Sequence, residues 1–107
     1  RSIYESVINM VNENKVKAIV CWNDTLAMQI INILKELGKK VPEDIGVTGF
    51  DDIIQDMYFT PALTTVKQPF TEKGKTAVKL LVDLIENRIN GPVKQFVECK
   101  MVVRDST

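Results

Sequence analysis

Apolar and polar positions alternate along this chain with the period of helices in some stretches and run unbroken in others. After Ser2, which can cap a helix, Ile3, Val7, Met10 and Val11 recur at helical spacing, and Asn14-Lys15 is a plausible stop. Val16 to Trp22 is a continuous apolar run, the pattern of a strand covered on both faces. Asn23-Asp24 ends it and opens a helix from about Thr25 to Leu37. Leu26, Ile30, Ile33, Leu34 and Leu37 form the apolar stripe, and Gly38 suits a left-handed stop. Ile45 to Phe50 is the next strand, so strand, helix and strand compose a βαβ unit. Residues 52–58 leave room for one or two helical turns. Thr64 to Lys67 is short and extended, because Gln68 precedes a proline and avoids the helical region. Pro69 suits the first turn of a helix to about Asn90, with Phe70, Ala77, Leu80, Leu81, Leu84 and Ile85 on one face and Asn90-Gly91-Pro92 at its end. Val93 to Val103 is strand-like but interrupted by Gln95, Glu98 and Lys100, and the tail from Arg104 to Thr107 is polar. The fold class is therefore α/β, with parallel-sheet βαβ layers.

Composition narrows the function. The 107 residues suffice for one small domain, and the 45% apolar content supports a core. Fourteen basic and fourteen acidic residues give a formal net charge of zero, which argues against this piece gripping nucleic acid itself. Lys15/Lys17 and Lys39/Lys40 flank turns and read as solvated surface. There is no run of about 18 apolar residues and no signal peptide, so a cytoplasmic protein without membrane contact is expected. The start on Arg1 without Met suggests a fragment. Cys21 and Cys99 both lie in apolar runs, and two buried reduced thiols are expected. With no His, neither a zinc site nor a Ser–His or Cys–His nucleophile pair is expected. No phosphate-loop or dinucleotide fingerprint occurs, and no cofactor is implied. The adjacent Asp51 and Asp52 would point different ways, which disfavours a shared metal. An enzyme is not the reading these residues support.

Three strand ends each carry a polar side chain: Asn23, Asp51 and Gln68. In a parallel sheet these ends share one edge, where α/β proteins bind small molecules. A carboxylate and two amides suit a polyhydroxylated ligand: the carboxylate accepts from adjacent hydroxyls, and each amide donates and accepts. Trp22 offers an apolar face for a sugar ring or purine. Each has a plainer reading. Asn23 or, more so, Asp24 can cap the following helix; Asp51 and Asp52 can cap a turn; Trp22 can be core; Gln68 can bond backbone at a crossover between lobes.

The run AIVCWNDTLAMQIINILKELGKKVPEDIGVTGFDD, followed by FTPALTTVKQP, a helix containing Gly74 and a terminal VVRDST, resembles the LacI/GalR family of bacterial transcriptional repressors over nearly the whole chain. The CWND and RDST variants are also compatible with arabinose-type repressors. The resemblance implies a two-lobed, periplasmic-binding-protein-like (type I) sensor that closes on a small effector, with a separate N-terminal DNA-binding domain that this chain lacks. Residues 1–68 and about 98–107 would belong mainly to one lobe, and about 69–97 to the other. The family's contacting Asn falls on Asn23, the Asp of its G-[YF]-D-[DN] motif on Asp51, and the polar residue of its lobe-crossing segment on Gln68. Trp22 stands where the family commonly has a small residue and is carried as a further candidate. The family's dimer surface falls on Met28, Asn32, Met57, Tyr58 and Phe59.

The resemblance thus implies an effector-binding piece of a repressor, sensing a sugar, forming a homodimer and reaching operator DNA through the absent domain. The alternative is a periplasmic sugar-binding protein of a transporter, which shares the fold. Either way the helix after Pro69 would pack on a lobe mostly outside this chain, so its apolar face is expected to be bare, and the isolated chain to rearrange, to self-associate or to be only part of the expressed protein.

Overall fold

A computed structural model describes residues 2–13 and 15–107. In order, the elements are α1 (Ile3–Asn12), β1 (Ala18–Val20), α2 (Asp24–Glu36), β2 (Gly46–Thr48), a 3-10 turn (Ile54–Met57), β3 (Thr65–Lys67), α3 (Phe70–Ile85) and β4 (Lys100–Val102). They divide into two compact units, one of residues 1–67 and 101–107 and one of residues 68–100.

In the first unit, α1 starts where Ser2 can cap it. Ser2 Oγ accepts from the Glu5 amide at 3.1 Å, and the Glu5 carboxylate accepts from the Ser2 amide at 3.0 Å. This reciprocal pair satisfies two donors of the helix start. The expected stop at Asn14 lies outside the described residues; Lys15, next to it, has φ +50°. At the far end of α2, Gly38 takes φ +71° as its type suggests. The Gly38 amide donates to Lys35 O and the Lys39 amide to Leu34 O, the paired bonds that close a helix on a left-handed residue.

Helix α1 buries Val7 and Val11, and α2 buries Ala27, Ile30, Ile31 and Leu34. Together with Ile19, Cys21, Ile45, Val47 and Leu63 they form the core. The centre of the α2 stripe is one position off the sequence expectation. Ala27 and Ile31 are fully buried, while Leu26, Ile33 and Leu37 pack around the rim. Strands β1 and β2 are parallel, with Ile19 opposite Val47. Parallel bridges from Thr48 to Thr64 and from Asp51 to Lys67 continue the order to β3, which neighbours β4. The βαβ unit expected from the sequence is therefore present, with shorter ladders than the apolar runs.

One expectation fails on β1. The run from Val16 to Trp22 is not covered on both faces: Ile19 and Cys21 are buried, but Val20 and Trp22 are 84% and 80% exposed. A strand points successive side chains to opposite faces, and one of these faces meets no packing partner among the described residues.

The polar tail is more structural than its composition suggests. Ser106 is fully buried. Its hydroxyl donates to Val47 O at 2.6 Å and accepts from the Thr64 amide at 2.8 Å, while the Val47 amide donates to Ser106 O at 2.9 Å. The tail thereby ties β2 to the start of β3.

The second unit is simpler. Helix α3 ends at Ile85, short of the expected Asn90, because the chain turns through Asn87 at φ +56°. Pro69 occupies the capping position rather than the first turn. No residue of α3 is buried, and Phe70, Val78, Leu81 and Ile85 are more than half exposed. Residues 92–99 form no regular structure, so the strand expected from Val93 to Val103 shrinks to β4. Cys99 is exposed, against the expectation that both cysteines are buried, whereas Cys21 is buried as expected. No described helix is long and apolar enough to cross a membrane.

Candidate functional site

The site is built from the turns that leave β1 and β2 at their C-terminal ends. Asn23 leaves β1 with extended backbone, and its Oδ1 accepts from the Leu26 amide at 2.8 Å. Asn23, not Asp24, is thus the cap of α2. Its amide nitrogen is the part of the side chain not used by the cap.

Asp24 does something the sequence reading missed. It is 1% exposed. One carboxylate oxygen accepts from the Thr65 hydroxyl at 2.6 Å and the other from the Ile53 amide at 3.0 Å. Its own amide donates to Phe50 O at 3.1 Å. A buried carboxylate is tolerated when its oxygens are bonded in this way. Gly49 makes room for it: a β-carbon there would stand 2.1 Å from an Asp24 oxygen.

The turn after β2 carries the acidic pair. Asp51 has φ +113° and Asp52 φ +59°, both in the left-handed half of backbone space that favours glycine. Such residues cost on the order of 1–3 kcal/mol each and persist when their surroundings hold them. Here the Asp51 amide donates to Val66 O at 2.9 Å. Asp52 pairs with Arg104 at 2.7 Å, both side chains being largely shielded at 13% and 15% exposure. Arg104 also donates from its guanidinium to Leu63 O at 2.9 Å. Neither aspartate caps the 3-10 turn, whose start has no side-chain cap bond. The two therefore divide roles: Asp52 is tied inward to the tail, and Asp51 stands half-buried on the strand edge. No cluster of three or more metal-ligating side chains occurs among the described residues.

Trp22, the residue before Asn23, is no core residue; its ring is exposed on the same turn. Gln68 belongs to the second unit, where its Oε1 accepts from the Lys73 ammonium. In the first unit, Met28, Gln55, Tyr58 and Phe59 line a shallow apolar groove. Met57 and Tyr58 are 60% and 78% exposed, Asn32 is exposed, and Lys35 Nζ lies 5.3 Å from the centre of the Phe59 ring. Beneath the strand edge, burial foremost and the nearby Asp24 charge next push the Cys21 thiol from 9.0 up to about 11. It is a protonated, inert thiol at neutral pH.

With this geometry, the chain belongs to the periplasmic binding protein-like domain family, whose model matches residues 3–107. It is 36% identical over 94 residues to the HTH-type transcriptional repressor PurR of Vibrio vulnificus, an alignment covering 88% of this chain and 28% of that protein. It superposes on the lac repressor dimer bound to operator and an anti-inducer with TM-score 0.86 and 31% identity, over 97% of this chain and 36% of that one. A LacI family regulator from Enterococcus faecium with bound ribose gives TM-score 0.84 and 32% identity, over 97% of this chain and 38% of that one. The chain thus spans little more than a quarter of the curated repressor it matches. These similarities support the LacI/GalR resemblance of the sequence motifs and the effector-binding part of such proteins.

Proposed function

We propose that this chain is a ligand-sensing part of a bacterial LacI/GalR-type transcriptional regulator, binding a small effector and controlling DNA binding allosterically. The observation that carries the reading is the strand edge itself. Asp51 is held at a positive φ between bonded neighbours, beside the turn that bears Asn23 and Trp22. Strained backbone over-determined by its surroundings is a mark of ligand sites. Asp51 accepts from ligand hydroxyls, the free amide nitrogen of Asn23 donates, Trp22 offers a ring face, and Gln68 is a further candidate contact. This donor and acceptor set suits a sugar, in keeping with the ribose-bound relative.

In this reading residues 1–68 and about 98–107 belong to one lobe of a two-lobed sensor and about 69–97 to the other. The groove at Met28 and Phe59, with Asn32, Met57 and Tyr58, is a homodimer surface, and operator DNA is reached through a DNA-binding domain outside this chain. The regulator is cytoplasmic, and no catalysis is involved. The Cys21–Asp24 run and the Arg104–Thr107 ending are compatible with an arabinose-repressor type. The repressor names of the relatives support this class over a transporter's periplasmic sugar-binding protein.

Effector binding shifts the population between DNA-competent and released dimers only as far as its affinity differs between them. The test is operator binding by the full-length polypeptide. Asp51→Ala is expected to keep operator affinity and to abolish the response to effector. Unchanged induction in that variant would sink the site assignment.

A further inference from the structure

Asp24 has no part in the ligand set, yet its contacts converge on the turn that carries Asp51. Its amide holds Phe50 O at one end of the four-residue turn, and its carboxylate holds the Ile53 amide at the other. Asp51 and Asp52, both at positive φ, lie between these two anchors. The second carboxylate oxygen is bonded to the Thr65 hydroxyl, and Thr65 is fully buried at the start of β3. One residue therefore holds both ends of the turn, the Phe50 end by its backbone amide and the Ile53 end by its carboxylate, and the carboxylate references the turn to the strand whose Val66 carbonyl takes the Asp51 amide. A glycine is required opposite, since any β-carbon at Gly49 would occupy the space of the carboxylate.

We infer that Asp24 is the positioning residue of the effector site: it clasps the turn from Phe50 to Ile53 and so holds Asp51 in the strained conformation that faces the ligand. The clasp needs acceptors of the right length at this buried point. An amide also fits it, its oxygen accepting from the Ile53 amide while its NH2 donates to a reversed Thr65 hydroxyl. A methyl group does not. The ligand-facing part of this inference rests on the sensor reading above; the clasp itself does not.

The test compares Asp24→Ala, Asp24→Asn and Ser106→Ala in the full-length polypeptide by amide hydrogen exchange and by calorimetric titration. The titration probes are D-ribose, L-arabinose, D-galactose and hypoxanthine. Ser106→Ala removes buried bonds of the same unit away from the turn and controls for general destabilisation. In Asp24→Ala, exchange at Asp51 to Ile53 is expected to speed up about tenfold more than at Ile19 and Val47. Affinity for whichever probe the unaltered protein binds is expected to fall at least about tenfold. Asp24→Asn should restore both to within about threefold. Should Asp24→Ala fail to fold, Thr65→Val, which removes one arm of the clasp, is expected to loosen the same amides to a smaller degree. Exchange at the turn that stays at its original rate in these variants overturns the clasp, with or without a ligand. Affinity that falls equally in Asp24→Ala and Ser106→Ala overturns the positioning role. A turn that loosens in a protein binding no probe leaves the clasp standing and counts against the sugar or purine effector. Binding lost in Asp51→Ala but kept in Asp24→Ala leaves the sensor reading standing and removes Asp24 from it.

Discussion

At the scale of single residues, four polar side chains hold the strand edge: Asn23, which also belongs to the proposed ligand set, and Asp24, Arg104 and Ser106, which do not. Each predicts a separable effect. Asn23→Ala removes the cap of α2 and is expected to cost about 1 kcal/mol in a denaturant melt. Asn23→Ser keeps a capping oxygen and loses the amide donor, so it should keep stability while weakening effector binding; equal loss of both would leave Asn23 a cap and nothing more. Asp52→Ala takes the carboxylate away from the largely shielded Arg104 guanidinium, which keeps its bond to Leu63 O. Discounting the interior value for partial exposure, a loss of about 1–3 kcal/mol is expected. A variant as stable as the original would show the pair to be ornamental. Cys21 makes a chemical prediction. At pH 7–8 iodoacetamide should modify exposed Cys99 first and spare Cys21, as mass spectrometry of the adduct would show. Because the folded pKa of Cys21 is raised, its contribution to stability is fully present below pH 9.0 and is lost as pH rises toward about 11.

Elements show where the sequence was legible and where it was not. The 3.6-residue period of α1 and α2, Ser2 as a cap and Gly38 as a stop are local signals, and each element formed where its signal stood. The alternation of β1 was invisible because a continuous apolar run carries no information about which face is covered. Val20 and Trp22 look like core in sequence and are bare in structure. The strand expected from Val93 failed for the opposite reason: strand-like residues need a partner to make a ladder, and residues 92–99 find none among the described residues. The candidate site divides the same way. Asp51 and Asn23 could be placed at strand ends from order alone. Asp24 and Arg104 act through bonds to residues 29 and 52 positions away, which no local pattern reveals. The one available hint was the pairing of Gly49 with the aspartate pair, read here as part of a family motif. At this scale, Gly49→Ala is expected to destabilise the β2 end by more than about 1 kcal/mol, since a side chain there displaces Asp24. An unchanged melting temperature would mean the turn yields freely.

For the whole molecule, the balance of buried and bare surface decides the behaviour of the chain. The first unit has a continuous core, whereas α3 of the second buries no residue and leaves Phe70, Val78, Leu81 and Ile85 to solvent. At roughly 25 cal/mol per Å2, several wet apolar side chains forgo several kcal/mol, comparable to the stability of a small domain. The isolated chain is therefore expected to self-associate, and a monodisperse monomer in light scattering would contradict this. The most direct measurement is calorimetric titration of the full-length polypeptide with pentoses, hexoses and purines, beside its Asp51→Ala variant. Saturable binding of one of these, lost in the variant, is the predicted result. Binding that survives the substitution would contradict the account.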